Sequence, residues 1–294
     1  GITPALFEKL NSPDYYTVYP PFCQGLFGLA GWLFPTSVPG SIMLLRAFMI
    51  LAETGSLFLL HKLVQYLKLP LYAVLLYALN PLVIAELTGN LHFEGLMITL
   101  LLGTFWLLLQ QRWWLSGFFF GGAVLAKLLP LVVLPGLLKR IGYIKSMGFG
   151  ILSLVFMLGS FLLISSPDQL AHMLASVDLY FRTFEFNASF YYLTRWVGFQ
   201  WQGYNMISTI GPGLAFLTAA IIFSYALSEK GASMRNWPHF VVVSLTAYLL
   251  LTTTVHPWYI TPLIAFGVLT RFWFPFLWSF VVLLSYAGYQ YNTY

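Results

Sequence analysis

The sequence predicts an all-α, polytopic membrane helical bundle, and three observations carry that expectation. Charged residues make up 8% of the 294-residue chain and hydrophobic ones 59%, where a soluble domain carries about 25% charged residues. Mean hydropathy is +0.80, and apolar stretches recur from one end to the other, so no soluble domain of any size is expected within it. Aromatics are abundant (27 Phe, 18 Tyr, 10 Trp) and suit repeated interfacial girdles. The formal charge is +5, but the bases stand singly or as one pair. Such bases set orientation in a lipid bilayer and do not form a nucleic-acid patch. The lone Cys23 excludes an internal disulfide and a multi-cysteine metal site.

A membrane-crossing helix needs about 20 apolar residues, within a range of about 17–25. Residues 21–36 are short, Gly-rich and Pro-bounded. Stretches 41–60, 71–89, 92–110, 146–165, 206–227, 237–254 and 272–289 qualify as spans. The stretch 257–270 is short, yet must cross if His256 and Arg271 lie on opposite sides. Residues 113–138 are too long for one tidy helix and carry Lys127 and Pro130 in the middle. They read either as a hairpin of two short helices turning at Lys127–Pro130, or as one tilted, Pro-kinked span. The hairpin gives a consistent count of about eight to ten membrane-embedded segments. Lys62, Lys68, Arg112, Lys139, Arg140, Lys145, Lys230, Arg235 and Arg271 then all fall inside, with Glu229 the only acid beside them. Outside lie Lys9, Arg182 and Arg195 against Glu8, Asp14, Asp168, Asp178 and Glu185, the asymmetry of the positive-inside rule. On that topology 21–36 does not cross and is an interfacial or re-entrant helix, and 166–205 is the one long exofacial loop.

Arg46, Glu53, Glu86, His92, Glu94 and Lys127 lie in or at the ends of apolar segments, where ionisable groups normally face a cavity or a partner. Arg46 and Glu53 are seven residues apart, on one helix face about 10 Å apart in height. They could line one cavity with Glu86, or pair with neighbouring helices for structure alone. The densest cluster is Glu86-Leu-Thr-Gly-Asn90-Leu-His92-Phe-Glu94, an exofacial turn on this topology. His-x-Glu lacks the second His of a zinc-protease helix. A divalent cation bridged to a phosphate by His92 and Glu94 stays open, as does plain turn capping, and no cofactor is required. His256-Pro257-Trp258-Tyr259 and the stretch 178–205, where aromatics alternate with Arg182, Glu185, Asn187 and Arg195, are also exofacial. Rings suit sugar C–H faces, and Arg offers a planar fork to phosphate oxygens. An amphipathic helix lying on the membrane is the alternative for that stretch. With no Gly-rich phosphate loop, a nucleotide-fed enzyme fits poorly.

VYPP (18–21), NPLVIAELTGNLHFEGL (80–96), GFFFGGAVLAKLLPLVVLP (117–135), FEFNASFYYLTRWVG (184–198) and HPWYITPL (256–263) together resemble the lipid-phosphate-dependent glycosyltransferases of the GT-C architecture. The likeness is to the bacterial polyprenol-phosphate-mannose-dependent mannosyltransferases, relatives of the enzymes that add mannose to GPI anchors. It covers nearly all of residues 1–294 as one transmembrane glycosyltransferase domain. The resemblance implies a polyprenyl-phosphate sugar donor, a lipid or glycan acceptor of the cell envelope, and a bacterial plasma membrane with an exofacial site. By likeness, Asn90, His92 and Glu94 would shape the sugar or acceptor site. Lys127 and Arg195, with Arg182 and Asn187 nearby, would hold the carrier phosphate. His256, Trp258 and Tyr259 would line the donor pocket. The family's catalytic base is an Asp in the first exofacial loop, before a Gly-Ile/Val-Asn/Thr-Pro element. Gly1-Ile2-Thr3-Pro4 looks like that element. The expectation is therefore a fragment lacking the first span and the catalytic motif, with Asp14 a weak substitute as base. A transporter or flippase of a lipid-linked sugar is the alternative. It would carry paired repeats in the two halves, and the 113–138 pair has no counterpart near 237–270.

Overall fold

A computed structural model describes residues 7–8 and 16–287. It is an all-α polytopic bundle. Among the described residues, three helices are long and apolar enough to cross a bilayer: α2 (Val38–Leu67), α7 (Tyr143–Ile164) and α10 (Ile207–Ser228). A fourth span counts if the bent pair α3 (Leu71–Ala78) and α4 (Pro81–Gly89) is taken together. The remaining apolar helices are shorter: α5 (Glu94–Leu109), α6 (Trp113–Ala126), α11 (Trp237–Leu251), α12 (Thr261–Gly267) and α13 (Phe274–Ser285). The expected spans 41–60, 146–165 and 206–227 fall largely in the three long helices, and 92–110, 237–254, 257–270 and 272–289 in or around the shorter ones. Only 17%, 11% and 28% of the apolar windows of α2, α7 and α10 are buried, so these helices present their flanks outward. The short helices form the core, with Phe105, Phe120, Trp237, Phe240 and Phe266 sealed inside. Residues packed on all sides by protein need not match the lipid thickness.

Contacts along the helices fix their directions. Glu53 and Gly55 of α2 meet Gly95 and Thr99 of α5, while Tyr66 meets Trp106, so α2 and α5 run parallel and α3–α4 returns between them. α6 runs back against α5, with Ser116 donating to the Thr104 carbonyl at 3.0 Å and Gly122 facing Leu100. α7 then lies parallel to α6: Gly148 faces Trp113, and Gly117 and Gly121 face Phe149 and Ser153. For α7 to start beside Trp113, the chain must reverse after Lys127. It does so in the 3-10 segment Leu129–Leu137, and the Ser146 hydroxyl donates to the Leu137 carbonyl at 3.2 Å. The stretch 113–138 is therefore the hairpin, not a kinked span. Pro135, inside the segment, removes an N–H and crowds the carbonyl four residues back, whereas Pro130 occupies the first turn, where no N–H is needed.

The α6–α7 contact rests on Gly117 and Gly121, four apart. A Cβ at either would stand 3.0 Å from the carbonyl oxygen of Phe149 or Ser153. Small residues at this spacing let two backbones approach closely, and Ser153 uses the proximity to donate to the Gly117 carbonyl at 2.8 Å.

These directions gather nine bases, Lys62, Lys68, Arg112, Lys139, Arg140, Lys145, Lys230, Arg235 and Arg271, at one end of the bundle, the basic end. There Arg140 pairs with Glu229 at 2.6 Å. The opposite, mouth end carries Glu86, His92, Glu94, Lys127 and His256. Helix α1 (Pro21–Leu33) meets its neighbours there: Cys23 donates to the Ala126 carbonyl, Gly25 faces Ile164, and the Ser41 hydroxyl donates to the Ala30 carbonyl. The long connection 166–205 is built of two helices, α8 (Pro167–Thr183) and α9 (Phe190–Gln202), joined by 184–189. That joint is tied to the end of α11 by Phe186 N–H to the Thr253 carbonyl (3.0 Å) and Val255 N–H to the Phe186 carbonyl (2.8 Å).

Candidate active site

At the mouth end α6 stops because Lys127 is extended (φ −155°, ψ 143°). The break turns its ammonium toward the first residue of α5, and Nζ lies 3.1 Å from Glu94 Oε1. Glu94 is 2% exposed and sits on the helix N-terminus, where the free N–H groups favour a carboxylate. The ammonium also stands over the Tyr19 ring, 4.7 Å from its centroid, an attraction that strengthens away from water. Lys127 and Glu94 line a cavity of about 140 Å³ with Val18, Tyr19, Tyr248 and Tyr259. An ammonium in an aromatic-walled cavity can receive an anion whose attached chain or ring is apolar.

Beside it a column of rings comes from three segments. His92 stacks on Trp258 (3.8 Å between centroids, planes at 16°) and Trp258 on His256 (4.5 Å, 6°). His256 stacks in turn on Phe186 (5.2 Å, 23°). Burial, then the nearby Lys127 and His92, push the His256 imidazole down to about 4, so it is neutral at neutral pH. His92 faces Glu86, with Nε2 3.3 Å from Oε2. The Glu86 carboxylate is 1% exposed and accepts from Asn90 at 3.1 Å and from Tyr286. It is placed by a π-helical stretch, Ile84–Gly89, that ends α4. Extra residues of this kind in a turn often mark functional positions.

The structure brings Lys127, Glu94 and Tyr259 into one cavity, with His92, His256 and Trp258 in the neighbouring column. It does not bring Arg182 or Arg195 there. Arg182 pairs with Asp178 one turn away at 2.8 Å, both exposed. Arg195 pairs with Glu185 at 2.8 Å, and Glu185 also accepts from Tyr191 and from Asn205 (3.2 Å). Burial and then that carboxylate hold the Tyr191 phenol above its usual range. Asn187 (φ +49°) donates to the Val255 carbonyl at 3.3 Å and so shapes the joint between α8 and α9. Arg46, Glu53 and Glu86 each have partners of their own. Arg46 donates to the carbonyls of Thr88 and Gly89, both at 3.2 Å, satisfying groups a helix end leaves open. Glu53 accepts from Tyr77 at 3.1 Å. His92 and Glu94 have different partners, and among the described residues no three metal-ligating side chains cluster. Asp14 lies outside the described residues.

Tyr19 and Tyr248 complete the cavity wall, and the sequence singles out neither for that place. VYPP, which contains Tyr19, was a usable signal, whereas Tyr248 is one tyrosine in an apolar helix and carries none. Tyr286 and Asn205, which hold Glu86 and Glu185, were equally silent.

Residues 13–141, under half of the chain, match the family model described as alpha-(1->6)-mannopyranosyltransferase, N-terminal domain. No curated protein and no solved structure gives a significant match. The matched stretch contains Tyr19, Glu86, His92, Glu94 and Lys127, the half of the mouth built before α7. The match ties that stretch to the GT-C mannosyltransferase group, and the protein is accordingly a membrane glycosyltransferase.

Proposed function

We propose that the protein transfers mannose from a polyprenyl-phosphate carrier to a hydroxyl of a lipid or glycan acceptor, on the exofacial side of a bacterial plasma membrane. The observation that carries this reading is Lys127: a cation at a helix break, in an aromatic-walled cavity at the end of the bundle opposite the nine bases. Bases collect on the cytoplasmic side of membrane proteins, which supports an exofacial mouth. An apolar rim with one ammonium suits a phosphate attached to a hydrocarbon chain.

In the proposed reaction an acceptor oxygen attacks the anomeric carbon while the bond from that carbon to the phosphate oxygen breaks. The electron pair leaves with the carrier phosphate, inverting the anomeric centre. Lys127 meets the charge that develops on the phosphate, in a site where water screens little. The acceptor proton passes to a carboxylate base. Such assistance contributes about 10²–10⁴-fold. The reading is tested by donor affinity in lipid nanodiscs, comparing Lys127→Ala with wild type. At least about ten-fold weaker binding of polyprenyl-phosphate mannose is expected, because a hydrogen-bonded charge contributes about 1.5–3 kcal/mol. Unchanged affinity contradicts the phosphate role.

A further inference from the structure

Glu94 holds Lys127 with one oxygen only. Its Oε1 is 3.1 Å from the ammonium, while Oε2 is buried with no hydrogen-bond partner among the described residues. Most buried polar atoms find a partner, and an unpaired carboxylate oxygen is among the costlier exceptions. This exception belongs to a residue that lines the cavity containing Lys127. The other groups around the cavity do not satisfy it: Tyr19 offers its ring to the ammonium, Leu128 and Leu129 are apolar, and the Tyr248 and Tyr259 hydroxyls make no hydrogen bond to it.

The arrangement has a consequence for any anion that enters. An anion draws the ammonium toward itself, and the Glu94 carboxylate, shut off from water, loses part of its one counter-charge. A bare phosphate would bind at that expense. A phosphate carrying a hydroxylated group would not, because a hydroxyl can donate to the carboxylate that the ammonium has released. Resting on the polyprenyl-phosphate reading above, we infer that Glu94 is the specificity-determining residue that reads a sugar hydroxyl. It couples recognition of the sugar to recognition of the phosphate, so that the cavity favours a loaded carrier over the spent one. After transfer the carrier phosphate has lost its sugar, and the same coupling promotes its release.

The test compares the affinities of polyprenyl phosphate and its mannosyl derivative for the chain in nanodiscs, in wild type, Glu94→Gln, Glu94→Asp and Lys127→Met. Wild type is expected to favour the mannosyl form by about ten-fold or more, the scale of a hydrogen bond to a charged group. Glu94→Gln removes the competitor for the ammonium, so the bare carrier binds more tightly and the preference collapses. Glu94→Asp keeps the charge near Lys127 and the fold, but draws the carboxylate back by one methylene. The bare carrier should bind as before while the mannosyl form weakens. A preference that persists unchanged in both Glu94 variants overturns the inference and leaves the phosphate role of Lys127 standing. Absence of binding by either carrier, or carrier binding that is indifferent to Lys127→Met, overturns the underlying reading together with it.

Discussion

Replacing Lys127 by Met keeps the aliphatic stem in place but removes the ammonium 3.1 Å from Glu94. Glu94, 2% exposed, is then a buried carboxylate without a counter-charge. Breaking a buried pair by deleting one partner costs about 3–5 kcal/mol. The Lys127 side chain is 20% exposed, which places the expected cost near the low end, at about 3 kcal/mol. Removing both charges in Lys127→Met/Glu94→Gln leaves no stranded ion, and a loss nearer 1 kcal/mol is expected. The coupling energy of the double-mutant cycle should therefore be about 2 kcal/mol or more. Reversible unfolding in mixed detergent–SDS micelles, followed by tryptophan fluorescence, measures all four proteins. A double variant that loses the sum of the two single losses would refute a direct interaction between these side chains.

Three further outcomes follow from the same packing and charges. Gly121→Ala should destabilise the α6–α7 contact by about 1–3 kcal/mol through overpacking against the Ser153 carbonyl. Gly150→Ala on α7, where an added Cβ meets nothing within 4 Å, should be neutral or stabilising by thermal unfolding. Trp258→Ala removes the middle ring between His92 and His256 and should cost about 3 kcal/mol. Trp258→Phe should retain most of the stability in the same assay. His256 is held down to about 4 in the fold, whereas an unperturbed imidazole titrates near 6.5. Between those values the unfolded chain takes up a proton that the folded one does not. The neutral imidazole's stabilising contribution is present above about pH 6.5 and is lost as pH falls toward 4. The slope of stability against pH in that window should flatten in His256→Gln, and an unchanged slope would contradict the assignment.

Much of the architecture was legible because it follows from local chemistry. Lys127 and Pro130 inside one apolar run announced a break, and the sorting of Lys and Arg between connections implied that the chain turns back there. The motifs containing Tyr19, Glu94, Lys127 and Tyr259 were recognisable singly, and the fold gathers them. The pairing of charges was not legible. Glu94 and Lys127 are 33 residues apart, and only the reversal between α5 and α6 brings them together. Arg195 has the chemistry of a phosphate ligand, yet Glu185 takes it because the bend at Asn187 sets the two face to face. Arg46 looked like a cavity residue, but the open carbonyls of a π-helical turn claim it, and nothing in residues 84–89 advertised that turn.

Lys127 is the group proposed to hold the carrier phosphate. A structure of the chain in nanodiscs with polyprenyl-phosphate mannose bound tests that role most directly. A phosphate oxygen is expected within about 3.2 Å of Lys127 Nζ, the reach of a hydrogen bond, with the prenyl chain leaving past Tyr19. A phosphate seated at the basic end, on Lys139 or Arg140, would contradict it.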